Sequence, residues 1–343
     1  MSADRSLQRL WYESRPRWLL AVMLPLSLLF LLAVQLRRAL YRIGAMRMRH
    51  LPCPVIVVGN LTAGGTGKTP FVIWLTEYLQ QQGLKVGVVL RGYGGTSAHW
   101  PRVVDSGTTA RDVGDEAVLH FTRTGAIVVT APDRVAAAAR AIELGAQVIV
   151  ADDGLQHYAL ARNVEIAVMD AQRGFGNGFV LPAGPLREPA SRLRCVNLIV
   201  RTHRSEAPVA TCAGDPRSVV VRARLQEVVA VKSGERRLLS QYRGQRVHAI
   251  AGIGNPRAFF EALSAAGLIV EGRALPDHAA ITASDIQFSD DVPVLMTEKD
   301  AVKCRSFAGE QHWYVPMTLE LDADALPTVT TVLGPVLAAA KSS

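Results

Sequence analysis

A glycine-rich loop, set between an apolar run and an amphipathic segment, constrains the possible folds of this chain more than any other feature. Residues 54–58, PVIVV, predict a buried strand, and apolar residues at four-residue spacing from Phe71 to Leu79 predict a helix over 71–82. Between them lies GNLTAGGTGKTP, residues 59–70. A strand, a glycine loop, Gly-Lys-Thr and a helix are the context that makes a phosphate-binding loop of the Walker A type credible. We therefore expect a nucleotide site here.

The residues of this loop are expected to bind ATP through their backbone. The expected nucleotide-binding residues are Thr62, Ala63, Gly64, Gly65, Thr66, Gly67, Lys68, Thr69 and Pro70. Lys68 is expected to reach the β- and γ-phosphates, and Thr69 to ligate Mg²⁺. One departure from the motif is that Thr62 occupies the position, six residues before Lys68, where the usual pattern has glycine. A nucleotide site implies an ATP supply, and hence a cytoplasmic body.

Two carboxylates follow a second predicted strand. The apolar run QVIVA, residues 147–151, leads directly into Asp152 and Asp153. Carboxylates at the carboxyl end of a parallel strand lie beside the phosphate loop in an open α/β sheet, so we expect both to serve Mg²⁺.

Further strands and helices alternate along the same part of the chain. Strand-like runs occur at 85–90, 126–130, 164–170 and 195–201, and a helix is expected over 132–144. This alternation predicts an α/β fold with a doubly wound, mostly parallel sheet.

The formal net charge of +8 is confined almost entirely to the first fifty residues. Residues 1–50 hold nine arginines against two acids, which leaves 29 basic and 28 acidic residues in the rest of the chain. A near-neutral body lacks the basic stripe that nucleic-acid binding requires, so no nucleic-acid partner is expected. The four cysteines have no paired spacing, which argues against a disulfide framework and against a zinc site.

An uncharged run of 19 residues, from Trp18 to Leu36, lies between the first arginines and the later ones. As a helix it reaches roughly 28 Å, close to the roughly 30 Å hydrocarbon core of a bilayer. A secretory signal peptide fits poorly because arginines follow the run instead of a small-residue cleavage site, and a buried core helix of this length would carry polar positions. Pro25 and Ser27 interrupt the run, and arginines flank both ends, so the helix either spans the membrane or lies in its interface with anionic headgroups at its ends.

The rest of the chain predicts a second, smaller lobe. The expected domains are a membrane-associated helix with basic flanks at 1–50, a P-loop nucleotide-binding domain at 51–214, a β-linker at 215–240 and a smaller C-terminal α/β domain at 241–343. Within the last domain, strands are expected at 247–251, 268–275, 292–296 and 312–318, and helices at 256–266 and 326–341. A cleft between two lobes suits an enzyme that must exclude water from a reacting phosphate.

Two nucleotide-binding families are disfavoured by their own motifs. GTPases read the base with Asn/Thr-Lys-x-Asp, whereas in TEKD, residues 297–300, the lysine and the aspartate are adjacent. The membrane-recruited partitioning ATPases carry a lysine at the loop position that Ala63 occupies here.

Nine segments, taken together and in order, resemble the tetraacyldisaccharide 4'-kinases of lipid A biosynthesis. They are GNLTAGGTGKTP (59–70), RGYGG (91–95), VGDE (113–116), APDR (131–134), ADDGLQH (151–157), LPAGPLREP (181–189), AGIGNPRAFF (251–260), LPDH (275–278) and MTEKDAVK (296–303). The hydrophobic N-terminus fits this family too, and its loop also tends to lack the first Walker glycine. Two residues depart from the family pattern: Ala117 stands where proline usually follows the GDE acids, and Ala279 stands where a second histidine often occurs.

The resemblance implies phosphorylation of the 4'-hydroxyl of a tetraacyldisaccharide 1-phosphate with ATP and Mg²⁺, giving lipid IVA at the cytoplasmic face of the bacterial inner membrane. The expected partners are this membrane lipid and an anionic membrane, and no protein partner is implied. By resemblance, Asp115 is the base that accepts the hydroxyl proton, assisted by His278, and Lys68 completes the catalytic set.

The resemblance also implies a metal site and a group of candidate ligands. The expected metal ligands are Thr69, Glu116, Asp152 and Asp153. The candidates for contacting substrate, nucleotide or phosphate are Arg91, Tyr93, Arg134, Gln156, His157 and Arg187, since a guanidinium meets phosphate oxygens in bidentate fashion. The Gly/Pro-rich segment around Arg187 is expected to be a shaped binding loop. Lys299, Asp300 and Lys303 are assigned no catalytic role.

Two rival functions stay open at this point. A membrane-recruited P-loop ATPase that acts as a switch or scaffold needs no acceptor base, and a protein partner would stimulate its ATP hydrolysis. A soluble small-molecule kinase with a fortuitous apolar leader would keep its activity after deletion of residues 1–45.

Overall fold

The computed structural model of the chain describes residues 10–12, 17–203, 215–277 and 279–342. The elements follow in this order: α1 (Arg17–Arg42), β1 (Val55–Gly59), α2 (Lys68–Gln81), β2 (Val86–Leu90), β3 (Arg102–Val103), α3 (Ala110–Val113), α4 (Asp115–Thr124), β4 (Ile127–Thr130), α5 (Arg134–Glu143), β5 (Val148–Ala151), β6 (Val164–Asp170), a 3₁₀ turn (Ala190–Cys195), β7 (Leu198–His203), β8 (Ser218–Leu225), β9 (Glu227–Ala230), β10 (Arg236–Leu238), a 3₁₀ turn (Leu239–Tyr242), β11 (Arg246–Ala251), α6 (Pro256–Ala265), β12 (Ile269–Ala274), α7 (Ala283–Ile286), β13 (Val294–Thr297), α8 (Glu298–Cys304), β14 (His312–Val315), β15 (Met317–Leu321) and α9 (Ala325–Ser342).

The larger sheet has nine strands in the order β15-β8-β7-β6-β1-β5-β2-β4-β3. The seven strands from β8 to β4 run parallel, and only the edge strands β15 and β3 are antiparallel to their neighbours. This confirms the expected α/β fold with a mostly parallel sheet. The strand that carries the glycine loop, β1, lies between β6 and β5, where the order of the strands reverses. Ligands of open α/β sheets bind in the crevice at such a point, beyond the carboxyl ends of the strands.

Helices cover both faces of the larger sheet. On one face, α2 buries Phe71, Leu75 and Leu79 in a shared core with the C-terminal helix α9. On the other face, α5 packs with small side chains, since Ala137, Ala138 and Ala141 are fully buried there. A Cβ atom added at Gly87 of β2 would lie 3.0 Å from the Ala141 Cβ, so the small residues let this helix sit close to the sheet.

The smaller sheet has six strands in the order β10-β9-β14-β13-β11-β12. One of its faces packs against Phe259 and Leu263 of α6, and the other packs against Ile286 of α7 and Ala301 of α8. A second, smaller α/β layer is therefore present, as expected from the sequence.

The path of the chain between the two sheets differs from the expected division into domains. The segment expected as a linker contributes β8 to the larger sheet, and β9 and β10 to the smaller one. The chain then returns after β14, because β15 pairs with the edge of β8 from Met317↔Leu225 to Leu321↔Val221. This return covers a strand edge that would otherwise be open. The last strand expected over 312–318 is therefore two strands, one in each sheet.

The first helix confirms the expected N-terminal apolar element. Within the part of the chain that the structure describes, it is the one helix long and apolar enough to cross a membrane. Most of its apolar side chains are exposed: Trp18, Val22, Leu24, Leu26, Leu28, Leu29, Leu32 and Leu36. Its opposite edge contacts the protein body, where the buried Ser27 hydroxyl donates to the Val180 carbonyl at 3.0 Å and accepts from the Ala183 N–H at 2.9 Å.

Candidate active site

The glycine loop connects β1 directly to α2, as the sequence predicts. Gly64 and Gly67 have φ values of 102° and 84°, a region that favours glycine, and α2 begins at Lys68. The side-chain amide of Asn60 donates to the Thr66 hydroxyl at 3.2 Å and to the Gly64 carbonyl at 3.3 Å. Asn60 is fully buried and thus braces the loop from inside, a role that the sequence did not indicate.

A second loop pairs with the first half of the glycine loop. Thr62 forms an antiparallel bridge with Leu186, and the Ala63 N–H donates to the Pro185 carbonyl at 2.7 Å. The Arg187 N–H donates in turn to the Leu61 carbonyl at 2.6 Å. A bridge requires extended backbone, which suits a β-branched residue. This pairing accommodates threonine at the position where the usual motif has glycine, and it gives residues 185–187 a defined conformation against the glycine loop.

Two cations meet one carboxylate beside the glycine loop. The Lys68 Nζ lies 2.7 Å from the Asp153 Oδ1, and the Arg187 Nη1 donates to both oxygens of that carboxylate at 2.9 and 2.8 Å. Although burial raises it, Lys68 and Arg187 together hold the pKa of Asp153 well below its usual range. Asp153 has a φ of 50°, the one positive value among the described residues other than glycine. Two charge-assisted contacts offset the strain of this conformation.

The neighbouring carboxylate, Asp152, is held by a histidine. The His120 Nε2 lies 3.1 Å from the Asp152 Oδ2, and both side chains are buried. Although burial raises it, the hydrogen bond to His120 and the charge of Lys68 lower the pKa of Asp152. Among the described residues, the buried Asp152 Oδ1 has no hydrogen-bond partner. An ionised carboxylate with an open, buried oxygen fits a cation ligand.

The residues present fit a magnesium ion that is shared with a phosphate. Within the described ranges, no three side chains of His, Cys, Asp and Glu are arranged to hold a metal by themselves. Magnesium is usually held by one or two carboxylates together with water and substrate phosphates, so a complete protein cage is not required. Asp152 offers its open oxygen, and Thr69 lies half-buried in the first turn of α2.

Three of the candidate ligands support the site from behind. The Arg134 Nη2 donates to the Asp152 and Asp153 carbonyls at 3.3 and 2.9 Å, and its side chain is buried, so it braces the backbone that carries the two carboxylates. The Gln156 Nε2 donates to the Asn60 carbonyl at 3.2 Å, which links the end of β5 to the glycine loop. Burial, together with the charge of Arg134, lowers the pKa of His157 to about 4, so this imidazole is neutral at pH 7.

The segment that contains Arg91 and Tyr93 is exposed and lies against the start of α4. A Cβ atom at Gly114, whose φ is 88°, would collide with the Tyr93 carbonyl oxygen. The Thr96 N–H also donates to the Arg111 carbonyl at 2.9 Å. The RGYGG and VGDE segments therefore form one surface.

Helix α4 starts with two acids that face the second lobe. Asp115 is 4% exposed, and its Oδ1 accepts the Glu116 N–H at 2.9 Å. The Lys303 Nζ lies 3.2 Å from the Asp115 Oδ2, and the Lys299 Nζ lies 3.7 Å from the Glu116 Oε1. Burial and the nearby Asp152 carboxylate raise the pKa of Glu116. His278 lies outside the described residues.

The two lysines of α8 are site neighbours that the sequence did not assign. Lys299 and Lys303 are four residues apart and hence share one face of a helix. The family-like segment MTEKDAVK contains both, but nothing local in it shows which carboxylates they meet. Although burial lowers it, Asp115, Glu116 and Asp277 raise the pKa of Lys299, so its ammonium stays charged.

Known proteins resemble this chain over most of its length. The family model for tetraacyldisaccharide-1-P 4'-kinase (LpxK) matches residues 19–333. The chain belongs to this family. A tetraacyldisaccharide 4'-kinase of Nitrosococcus oceani is 46% identical over 329 residues, which cover 95% of this chain and 93% of that protein. One of Xanthomonas euvesicatoria is 47% identical over 320 residues, covering 91% of each chain. The crystal structure of LpxK from Aquifex aeolicus in complex with ATP has a TM-score of 0.80 and 27% identity, and it covers 93% of this chain and 99% of that one.

The structure of this chain places both residues that depart from the family pattern. Ala117 is 1% exposed and packs into the core beneath the larger sheet, so the alanine at this position is a core residue. The carbonyl of Ala279 accepts from the Lys303 Nζ at 3.3 Å, a contact made by the backbone and therefore independent of the side chain.

Proposed function

We propose that this kinase transfers the γ-phosphoryl group of ATP to the 4'-hydroxyl of a tetraacyldisaccharide 1-phosphate, giving lipid IVA. The 4'-oxygen forms a new bond to the γ-phosphorus, the bond from that phosphorus to the oxygen of ADP breaks, and the hydroxyl proton leaves to a base. The observation that supports this assignment best is a phosphate loop whose Lys68 lies within electrostatic range of Glu116, the neighbour of the buried Asp115, in a chain that aligns with the family over most of its length.

Asp115 is the proposed base. Its carboxylate lies 3.2 Å from the Lys303 ammonium, it is shielded from water, and it begins the helix whose second residue, Glu116, lies within electrostatic range of Lys68 and Asp152. A base has to reach the proton that it accepts, and the start of α4 faces the loop where phosphate binds. His278 is the proposed assistant of Asp115, on the strength of the family resemblance.

The glycine loop and Lys68 are proposed to hold the β- and γ-phosphates. The Lys68 ammonium lies 2.7 Å from the Asp153 carboxylate, and bound ATP would provide phosphate oxygens of higher charge density for this ammonium to contact. Arg187 is positioned for the same exchange, because its guanidinium binds the same carboxylate in bidentate fashion. Thr69, Glu116, Asp152 and Asp153 are the proposed ligands of Mg²⁺, which neutralises charge on the transferring phosphate when bound.

The membrane helix is proposed to lie in the cytoplasmic interface of the inner membrane. Ser27, near the middle of α1, makes two hydrogen bonds to the loop at 180–183. If the helix spanned the membrane, Ser27 would lie roughly 15 Å inside the hydrocarbon core, and the backbone of the loop at 180–183 that it binds would have to enter the core as well. An interfacial helix avoids that penalty and exposes its apolar face to lipid, with the arginines near anionic headgroups.

Labelling distinguishes the two orientations. In a cysteine-free background, Trp18→Cys and Ile43→Cys place one thiol at each end of α1. Both thiols should react with a membrane-impermeant reagent in inverted inner-membrane vesicles, and neither should react in intact spheroplasts. Reaction of one thiol from each side would show that the helix spans the membrane.

A transfer assay tests the reaction itself. The purified full-length protein in detergent should move label from γ-labelled ATP to a tetraacyldisaccharide 1-phosphate. Lys68→Ala and Asp115→Asn should each lose most of the turnover. Lys232→Ala is the matched control, because this exposed lysine pairs with Glu310 far from the site and should keep full activity. Full turnover in Asp115→Asn would remove Asp115 from its proposed role.

A further inference from the structure

We propose that Lys303 is a positioning residue, which fixes the Asp115 carboxylate from the opposite lobe of the enzyme. This inference rests on the proposed role of Asp115 as the base. Asp115 opens α4 beside the larger sheet, whereas Lys303 belongs to α8 on the smaller sheet. The two residues are 188 positions apart in the sequence. The Asp115 carboxylate is thus held at both of its oxygens only when the two lobes are in contact.

Each oxygen of the Asp115 carboxylate is held by a different lobe. Its Oδ1 accepts the N–H of Glu116, which belongs to its own helix, at 2.9 Å. Its Oδ2 lies 3.2 Å from the Lys303 Nζ and, at a longer 3.9 Å, from the Lys299 Nζ, and both lysines belong to α8 of the other lobe. The Asp115 and Lys303 side chains are 4% and 10% exposed, so water screens this pair weakly. A carboxylate held at both oxygens has a fixed plane, and orientation of a catalytic group is a large part of its effect.

The Lys303 ammonium is itself held by further contacts within its own lobe. It donates to the Ala279 carbonyl at 3.3 Å and lies 3.5 Å from the Asp300 Oδ1. Asp300 is fully buried, and its other oxygen accepts from the Gly252 N–H at 2.9 Å and from the Thr297 hydroxyl at 2.5 Å. Lys303 therefore presents its charge from a rigid support. It also connects Asp115 to Ala279, the residue that follows His278 in the sequence.

A second ion pair in the same interface provides a matched control. The Arg123 Nη1 donates to both oxygens of Glu298 at 3.1 and 2.9 Å, and this pair likewise joins α4 to α8. Arg123 lies at the far end of α4 from Asp115. Breaking this pair weakens the contact between the lobes without touching the carboxylate of Asp115.

The experiment compares Lys303→Met, Lys303→Arg and Arg123→Met in the full-length enzyme. Lys303→Met should lower kcat roughly 10- to 100-fold, since a misplaced group of this kind has effects of that size. KM for ATP should change less than about twofold, because Lys303 acts on the base and not on the nucleotide. Lys303→Arg should recover most of the lost kcat, and Arg123→Met should keep kcat within about threefold of the parent.

Several outcomes overturn the proposal. Equal losses of kcat in Lys303→Met and Arg123→Met would show a general effect on lobe contact. A rise in KM for ATP with unchanged kcat would make Lys303 a nucleotide ligand, and a failure of arginine to restore turnover would remove the role of the charge. Asp115→Asn separates this proposal from the one on which it rests. If Asp115→Asn is active, the base assignment fails; if Asp115→Asn is inactive while Lys303→Met is normal, only the role of Lys303 fails.

Discussion

The contact between the glycine loop and β7 leads to a quantitative prediction for Gly67→Ala. Gly67 has a φ of 84°, and a Cβ atom added there would lie 2.8 Å from the Cγ2 of Thr202. The left-handed backbone costs roughly 1–2 kcal/mol for alanine, and overpacking adds about 1–3 kcal/mol. Gly67→Ala should therefore destabilise the protein by about 2–5 kcal/mol.

Two further variants separate these contributions. Gly64 has a φ of 102°, and an added Cβ would meet nothing within 4 Å, so Gly64→Ala should show only the backbone term of roughly 1–2 kcal/mol. Thr202→Ser removes the Cγ2 atom but keeps the hydroxyl that donates to the Thr66 carbonyl at 2.7 Å. In the Gly67→Ala background, Thr202→Ser should recover part of the overpacking term of about 1–3 kcal/mol, because the Cβ and hydroxyl oxygen of residue 202, each 3.1 Å from the added Cβ, remain.

Thermal unfolding at one fixed detergent and protein concentration measures these differences. A change of 1 kcal/mol shifts the Tm of a protein of this size by roughly 2 °C, so Gly64→Ala should lower the Tm by about 2–4 °C and Gly67→Ala by about 4–10 °C. The Thr202→Ser single variant supplies the baseline for the cycle. A Tm of Gly67→Ala that is not lower than that of Gly64→Ala would contradict the prediction, and so would a double variant in which Thr202→Ser restores none of the lost Tm.

Two more predictions concern groups away from the glycine loop. The pKa of His157 is lowered to about 4 in the folded state from 6.5, so the unfolded chain binds the proton more tightly. The contribution of His157 to stability is then fully present above pH 6.5, and the free energy of unfolding falls by up to about 3 kcal/mol as the pH drops towards 4. His157→Gln should flatten this part of the pH profile of stability, measured by denaturant unfolding. An unchanged slope in the variant would contradict the prediction. Ser27→Ala removes the partner of two backbone groups at about 1–3 kcal/mol each, so it should speed proteolysis of the loop at 180–183 while vesicle binding persists. Leu28→Ala, at an exposed neighbouring position, should weaken vesicle binding and leave proteolysis of the loop at 180–183 unchanged. Equal rates of proteolysis and equal vesicle binding in the two variants would contradict the contact between α1 and this loop.

The parts of the fold that depend on local patterns follow from the sequence. The apolar run before the glycine loop and the helix after it are read directly, because burial and glycine conformation act over neighbouring residues. The mostly parallel sheet follows from the alternation of strands and helices. Helix α4 was not predicted from the sequence, although it carries Asp115 and buries Val118 and Leu119.

Long-range pairings could not be predicted in this way. Nothing near Thr62 shows that it forms a bridge with Leu186, although that bridge sets the extended backbone at this position. The return of β15 to the larger sheet has the same origin, since any exposed edge could have taken it. Lys303 is the clearest case, because a lysine on a polar helix face is usually solvated, and only the docking of the two lobes brings it to Asp115.

One loop joins the apolar helix α1 to the glycine loop. Near its start, the Val180 carbonyl and the Ala183 N–H bind Ser27 of α1, and at its end Leu186 pairs with the glycine loop. Because these attachments are only a few residues apart, a short, hydrogen-bonded piece of chain fixes the position of the glycine loop relative to α1, and hence its height above the membrane in the proposed interfacial orientation. A phosphate loop held at a constant height suits an acceptor hydroxyl that is itself confined to the headgroup layer, since neither reactant then has to leave its plane to meet the other.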